Sequence, residues 1–351
     1  MFSGSRRGEK EIRSKTVKVG VIGAGFMGGM HSQCYALLPG AELVGIADIR
    51  KEKAEELAKK FNAVAYEDGE ELLKSDVDAV DICLPTYMHQ EWVVKAANFG
   101  KNVLCEKPIC LSLNDADEMV AAAHKNNIIF MVAQVIRFWP EYIRLKEIKD
   151  SGELGKLLSL SLSRLSPLPT WGWENWLQSP EKSGSALFDL HIHDTDYLLY
   201  LLGKPKTVFS SGTKVNGGYG RIFSFFEYLD CPVSAEGGWD FVDVFPFRMA
   251  YVARFEKGVV EYNTGYNKPF AIYTEGKAEY PKLGEDIPKA TDTSGNISEL
   301  GGYYNEIKYF VECVEGKKKP SIVTPEDARE SLAIVLKEKE SAEKGERICV
   351  S

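Results

Sequence analysis

Few side chains in this 351-residue sequence can exchange a proton near neutral pH. Of its five histidines, two fall in one run, Ser183-Gly184-Ser185-Ala186-Leu187-Phe188-Asp189-Leu190-His191-Ile192-His193-Asp194-Thr195-Asp196. On a helix, Asp189 and His193 are i and i+4 and share a face that Asp196 continues, whereas His191 projects elsewhere. A carboxylate beside an imidazole can orient the ring and adjust its proton affinity, which general acid–base catalysis requires. Taken alone, the run fits a catalytic pair, a metal site or a polar structural cap. A second candidate is Glu106-Lys107-Pro108. A lysine at the carboxyl end of a parallel strand faces the crevice where open α/β sheets bind ligands, although loop lysines are also commonly just exposed.

A third constellation binds rather than reacts. Gly23-Ala24-Gly25-Phe26-Met27-Gly28 follows a strand-like run and leads into a helix-like one. In such a GxGxxG turn the first glycine permits the tight bend, the second lets the backbone approach a pyrophosphate, and the third lets helix and strand pack closely. The helix N-terminus then offers free amides to the anion. Asp48, 20 residues after Gly28, ends the second strand-like run where a carboxylate can bond ribose hydroxyls and repel a 2′-phosphate. This favours NAD over NADP. Arg50 leaves NADP open, because an arginine there can stack on adenine or meet the extra phosphate.

The surrounding pattern places these groups. Apolar β-branched runs at 17–22, 42–47, 79–83, 102–105 and 128–132 alternate with helix-like segments, including 51–60, 89–99 and 114–126. Strands buried on both faces and joined by helices predict a doubly wound parallel sheet, the Rossmann type. Beyond residue 134 the pattern changes to a helix at 140–149, a strand at 157–164, a loop with three prolines, and a helix-length segment at 185–202. Aromatic and β-branched alternation over 207–280 then predicts antiparallel strands, before closing helices at 303–314 and 325–344. The expected class is α/β, a Rossmann domain at 17–136 followed by an α+β domain at 137–351 with a large open, mainly antiparallel sheet. Residues 1–16 are expected to be a flexible extension.

The three constellations together resemble the Gfo/Idh/MocA oxidoreductases, the family of glucose-fructose oxidoreductase and inositol dehydrogenase. The matching pieces are the Gly23 to Gly28 turn, Asp48, Glu106-Lys107-Pro108, the Asp189-x3-His193 helix and Tyr304-Asn305-Glu306-Ile307. The resemblance implies hydride transfer between a nicotinamide nucleotide and a hydroxyl or carbonyl of a sugar, inositol or related polyol. It implies that Lys107 holds the reacting oxygen, His193 exchanges its proton, and Asp189 orients His193 and meets substrate. It extends the cofactor set to Phe26, Met27, Leu84, Pro85, His89, Glu106 and Lys107, and it requires no metal. Two departures stand out: Gly184-Ser185 where relatives often have consecutive glycines, and Leu84 where a threonine commonly precedes the proline.

Two further features bear on substrate. Trp171, Trp173 and Trp176 lie within six residues, and such rings either stack on a sugar face or pack in a structural contact. Arg137 either reaches substrate oxygens or forms a structural ion pair. Composition limits the alternatives: 44% hydrophobic and 27% charged residues describe an ordinary globular chain. Lys and Arg number 43 against 51 Asp and Glu, a net charge of −8 that works against a nucleic-acid partner. No stretch suits a membrane span. The seven scattered cysteines, without a CxxC pair, suggest reduced thiols and a cytoplasmic protein. A sheet presenting Phe223, Phe225 and Tyr251 on an uncovered face predicts a homodimer or homotetramer. Two other classes stay in view: a redox-neutral, glycosidase-like enzyme that retains NAD, and a non-enzymatic nucleotide sensor.

Overall fold

A computed structural model describes residues 16–288 and 300–350. The extension expected at 1–16 therefore lies, apart from Thr16, outside the described residues. Six parallel strands open the chain: β1 (Val17–Ile22), β2 (Ala41–Ala47), β3 (Val64–Tyr66), β4 (Ala79–Ile82), β5 (Asn102–Glu106) and β6 (Phe130–Ala133). They lie in the order β3-β2-β1-β4-β5-β6, joined through α1 (Phe26–Leu37), α2 (Lys51–Phe61), α3 (Gly69–Lys74), α4 (His89–Asn98) and α5 (Leu113–Lys125). Val19, Val21, Val80, Ile82, Val103 and Leu104 are all buried, because helices cover both faces of the sheet. The strand order reverses between β1 and β4, which opens a ligand crevice at their carboxyl ends. The periodicity missed β3 and α3, both too short for it.

A short turn at Val135–Phe138 leads to α6 (Pro140–Ser151), β7 (Leu157–Pro167), α7 (Pro180–Ser183) and α8 (Ile192–Leu202). Then come β8 (Thr207–Val215), β9 (Gly218–Glu227), β10 (Pro232–Phe241), β11 (Arg248–Phe255), β12 (Gly258–Asn263), β13 (Phe270–Thr274) and β14 (Lys277–Glu279). The chain closes with α9 (Gly301–Val314), α10 (Pro325–Lys344) and β15 (Ile348–Cys349). Among the described residues the second sheet has nine strands in the order β14-β13-β12-β11-β7-β10-β9-β8-β15, antiparallel except where β7 meets β10. Its inner face packs beneath α8 and α10. The last two helices also return to the first domain, α9 against α1 and α10 against α5, with Arg329 pairing to Asp117 at 2.6 Å.

One expectation about the outer face is corrected. Phe223 and Phe225 are 42% and 59% exposed, but Tyr251 is buried, its hydroxyl donating to the Glu141 carbonyl at 2.7 Å. The three do not share a face: across the sheet Tyr251 pairs with Leu162, whereas Phe223 and Phe225 stand at outward positions of β9. Among the described residues no helix is long and apolar enough to cross a membrane. No disulfide joins the seven cysteines, and only Cys349 is exposed.

Candidate active site

A cleft of about 1030 Å³ runs from the ends of β1 and β2, past the loops after β4 and β5, to the inner face of the second sheet. At its first end Gly23 has φ of +106°, and a Cβ on Gly28 would lie 1.8 Å from the Gly23 carbonyl oxygen, so both positions exclude larger residues. A Cβ on Gly25 would meet no atom within 4 Å. Side-chain bulk there would occupy the cleft, as expected where a pyrophosphate approaches the backbone. No side chain caps α1 at Gly25 and no acidic residue stands in its first turn, which suits an anion.

Asp48 lies beside this turn. Its Oδ2 accepts from the Ala24 amide at 2.9 Å and Arg50 Nη2 at 2.7 Å, and its Oδ1 from the Arg50 amide and Nε, both at 2.8 Å. Burial opposes ionisation, but Arg50 and the two amides outweigh it and hold the carboxyl below its usual range. Arg50 is thus engaged by Asp48, and its guanidinium stands 5.7 Å from the Trp173 ring centroid. Trp171 lies 5.4 Å from Phe26. The tryptophan loop of the second domain therefore reaches the nucleotide end of the cleft. Phe26, Met27, Leu84, Pro85, Glu106, Lys107 and Trp176 also line it.

At the other end Lys107, Asp189 and His193 open on the same space. Lys107 Nζ donates to Asp189 Oδ1 at 2.8 Å and to the Asp189 carbonyl at 2.7 Å. The segment before α8 is not a plain α-helix: residues Leu187–His191 make a π-turn. Such turns widen the i→i+4 ladder and re-aim side chains, often at functional sites. Here Asp189 turns to Lys107, and among the described residues His193 Nδ1 has no hydrogen-bond partner. The expectation that Asp189 orients His193 is therefore corrected: Asp189 holds the lysine. Before the π-turn, Gly184 and Ser185 have φ of +73° and +63°, the conformation for which consecutive glycines are suited. Loss of solvent, followed by the Lys107 and Arg164 charges, pushes the His193 imidazole well below its ordinary value of 6.5, so the ring is neutral at pH 7.

His191 projects away, as the helical phase predicts. Its Nε2 lies 2.6 Å from Glu338 Oε2 in α10, and both residues are fully buried. Two other expectations are corrected. Arg137 is buried and does not line the cleft: Nε and Nη2 bond the two Asp196 oxygens at 2.8 and 2.7 Å, and Nη1 bonds the Ile322 carbonyl at 2.6 Å. His89 is also buried, with its ring nitrogens 2.9 Å from the Leu84 and Pro108 carbonyls. It fixes the two loops that line the cleft instead of lining it. Arg164 is a residue the sequence reading missed. It lines the cleft from β7, held by Asp194 at 2.8 and 3.1 Å and by Tyr142. The signal was present, since Leu160, Leu162 and Arg164 share one strand face, and an arginine at an inward apolar position needs a reason. His31, Asp81 and Cys83 place metal-ligand atoms within 4.8 Å of one another, although hydrogen bonds already link them.

Glycine turn, acidic strand end and lysine-bearing loop at the β1/β4 crevice mark a nucleotide-binding α/β protein. Residues 17–134 match the model "Oxidoreductase family, NAD-binding Rossmann fold", and residues 142–243 match the GFO/IDH/MocA C-terminal domain. The chain belongs to the GFO/IDH/MocA family as an NAD-binding oxidoreductase. It is 27% identical to a Thermotoga maritima myo-inositol 2-dehydrogenase over 93% of this chain and 96% of that one. It is 34% identical to a 2,7-anhydro-N-acetylneuraminate hydratase of Mediterraneibacter gnavus, a match spanning only 57% of this chain and 54% of the relative. A levoglucosan dehydrogenase solved with NADH and levoglucosan has the same fold, with TM-score 0.80 and 22% identity over 95% of this chain and 99% of that one.

The Asp48 geometry carries a prediction about the nucleotide. NAD should bind at least about tenfold tighter than NADP, a difference of about 1.4 kcal/mol that one repelled phosphate readily supplies. Calorimetric titration with both nucleotides measures it. Equal affinities would mean that Arg50 leaves Asp48 to meet the 2′-phosphate.

Proposed function

We propose that the chain is an NAD-dependent dehydrogenase acting on a hydroxyl or carbonyl of a sugar, inositol or related polyol. One observation carries this reading: Lys107 and His193 open on the same cleft that the Gly23 to Gly28 turn and Asp48 begin. When bound, NAD supplies the hydride acceptor. Lys107 holds the substrate oxygen and stabilises negative charge developing on it. Asp189 fixes the ammonium by two bonds, and His193 takes the hydroxyl proton. Arg164 and Lys107 disfavour a charged imidazole, so the ring is ready as a base in oxidation and returns its proton readily in reduction. Trp176 offers an apolar ring for a sugar face. Phe223 and Phe225 on the outer sheet face support a homodimer or homotetramer.

The test is a screen of sugars, inositols and sugar acids for NADH formation with the purified protein, alongside its mass by light scattering. Oxidation of at least one polyhydroxy compound, by a homo-oligomer, is expected. No turnover across the panel would refute the substrate class, and a monomer at micromolar concentration would refute the assembly. A second reading, a redox-neutral enzyme that retains NAD, draws on the Trp171 and Trp173 contacts at the nucleotide end and on a relative named as a hydratase. Substrate consumed without net NADH would favour it.

A further inference from the structure

Behind the cleft lies a second polar cluster that the proton transfer above does not use. His31 of α1 is fully buried between two carboxylates, with Nδ1 2.8 Å from Asp81 Oδ2 and Nε2 3.2 Å from Glu106 Oε1. Asp81 also accepts from the Tyr35 hydroxyl at 3.0 Å and the Cys83 thiol at 3.3 Å. The second Glu106 oxygen accepts from the Lys107 amide at 3.0 Å, so this end of the cluster is joined to the backbone of the reactive lysine. Glu106 itself lines the cleft.

The far end of the cluster is Glu306 of α9, one helical turn after Tyr303, whose ring centroid lies 5.9 Å from that of His31. Glu306 is fully buried, and among the described residues neither carboxyl oxygen has a hydrogen-bond partner. Besides His31, the charged groups acting on it are Glu106 and Asp81 from the neighbouring strands and Asp196 from α8, which Arg137 already pairs. Burial comes first, and the surrounding carboxylates add to it against the opposing His31, so the Glu306 carboxyl is pushed well above its ordinary value. Burial also opposes the charged His31 ring, but Asp81, 2.8 Å from Nδ1, favours it and the ring is raised well above its ordinary value. Cys34, Tyr35, Cys83 and Tyr303 complete the surroundings, and burial pushes all four up, so none ionises near neutrality. Asp81 and Glu106 thus flank the His31 ring, Lys107 and His89 also act on Glu106, and Glu306 adds a third acidic group whose protonated form burial favours.

Glu106 lines the cleft beside Lys107, so a nicotinamide ring held there for hydride exchange would bring its charge near this carboxylate. The oxidised ring carries one positive charge and the reduced ring none. A buried cluster with surplus acidic groups must respond to that difference, because interactions between charges are strong where water is excluded. We propose that Glu306, His31 and Glu106 form a proton store coupled to the nicotinamide, binding fewer protons when the oxidised ring is seated than when the reduced ring is.

In alcohol oxidation the carbon hydrogen would leave with its electron pair to a bound nicotinamide, which would lose its positive charge, and the hydroxyl hydrogen would leave as a proton to His193. The store takes up a proton from solvent as the ring charge disappears. It returns that proton when NAD replaces NADH, so a full cycle still releases one proton.

The inference rests on nicotinamide binding, not on the identity of the sugar. It is tested by titrating the protein calorimetrically with NAD and with NADH at pH 7, each in two buffers of different ionisation enthalpy, to count protons exchanged on binding. The two nucleotides differ only at the nicotinamide ring, so subtraction isolates its charge. Binding of NAD should release more protons than binding of NADH, and the affinity ratio should shift towards NAD as pH rises, by at most about tenfold per unit for one proton. Glu306→Gln, close in shape to the neutral acid, should abolish the difference while both nucleotides still bind. His31→Asn should reduce it, which keeps the test available if the glutamine variant fails to fold. Equal proton exchange for the two nucleotides in the unaltered protein would overturn the proposal, as would a difference that survives both substitutions. Failure of both nucleotides to bind would overturn the cofactor reading itself.

Discussion

Replacing His193 by alanine should lower turnover by roughly 10² to 10⁴-fold, the usual contribution of general acid–base catalysis. The expectation comes from placement: His193 opens on the cleft with Lys107, while His191 is bonded to Glu338 on the far side of the helix and His31 and His89 are fully buried. Lys107→Ala should be comparably damaging, because it removes the cation that meets the developing alkoxide. Nucleotide affinity should change little in His193→Ala, since that ring belongs to the second domain. The pH profile offers an independent measure. The base must be neutral to accept a proton, and its surroundings hold it well below 6.5. The acid limb of kcat/KM for oxidation should therefore fall below pH 6.5, with activity lost only as pH drops through that lowered value. His191→Ala should instead weaken the fold, leaving Glu338 buried without its imidazole, and spare turnover per folded molecule. Near-normal turnover in His193→Ala together with a loss in His191→Ala would refute the assignment of the base.

The frame of this site was legible because its signals are periodic or local. Apolar runs bounded by turns mark five of the six parallel strands, and the glycine turn and Asp48 identify the crevice end of two of them. The helical phase separated His193 from His191 correctly. It failed for Asp189, because a π-turn changes the angular offset without leaving a pattern in residue types, so the carboxylate meets Lys107 instead of His193. The β-strand period failed differently at Tyr251, where aromatic content suggested an outward face and the register turns the ring inward. Contacts over long separations were out of reach. Nothing near Glu306 in the sequence indicates that α9 packs on α1 and brings it towards His31, although Asp81, a charge inside the apolar run Ala79-Val80-Asp81-Ile82, was a visible anomaly.

Arg137 shows how burial decides between a substrate contact and a structural role. Its side chain is 3% exposed and that of Asp196 1%, and two parallel bonds at 2.8 and 2.7 Å join them. Ser331 donates to the same carboxylate at 2.7 Å, and the Tyr200 ring centroid lies 4.8 Å from the guanidinium. The pair thus ties the turn after β6 to α8 and α10, the elements that close the second domain against the first. Removing one member of such a pair leaves the other charge buried with no counter-charge, which typically costs about 3–5 kcal/mol. Arg137→Met should lose stability on that scale in chemical denaturation, whereas Arg137→Met with Asp196→Leu should recover much of it, because an apolar pair of similar volume has no stranded charge. The KM of folded protein should change little in either variant, since Arg137 does not reach the cleft. A large rise in KM for Arg137→Met at unchanged stability would return Arg137 to the substrate site and refute the structural reading.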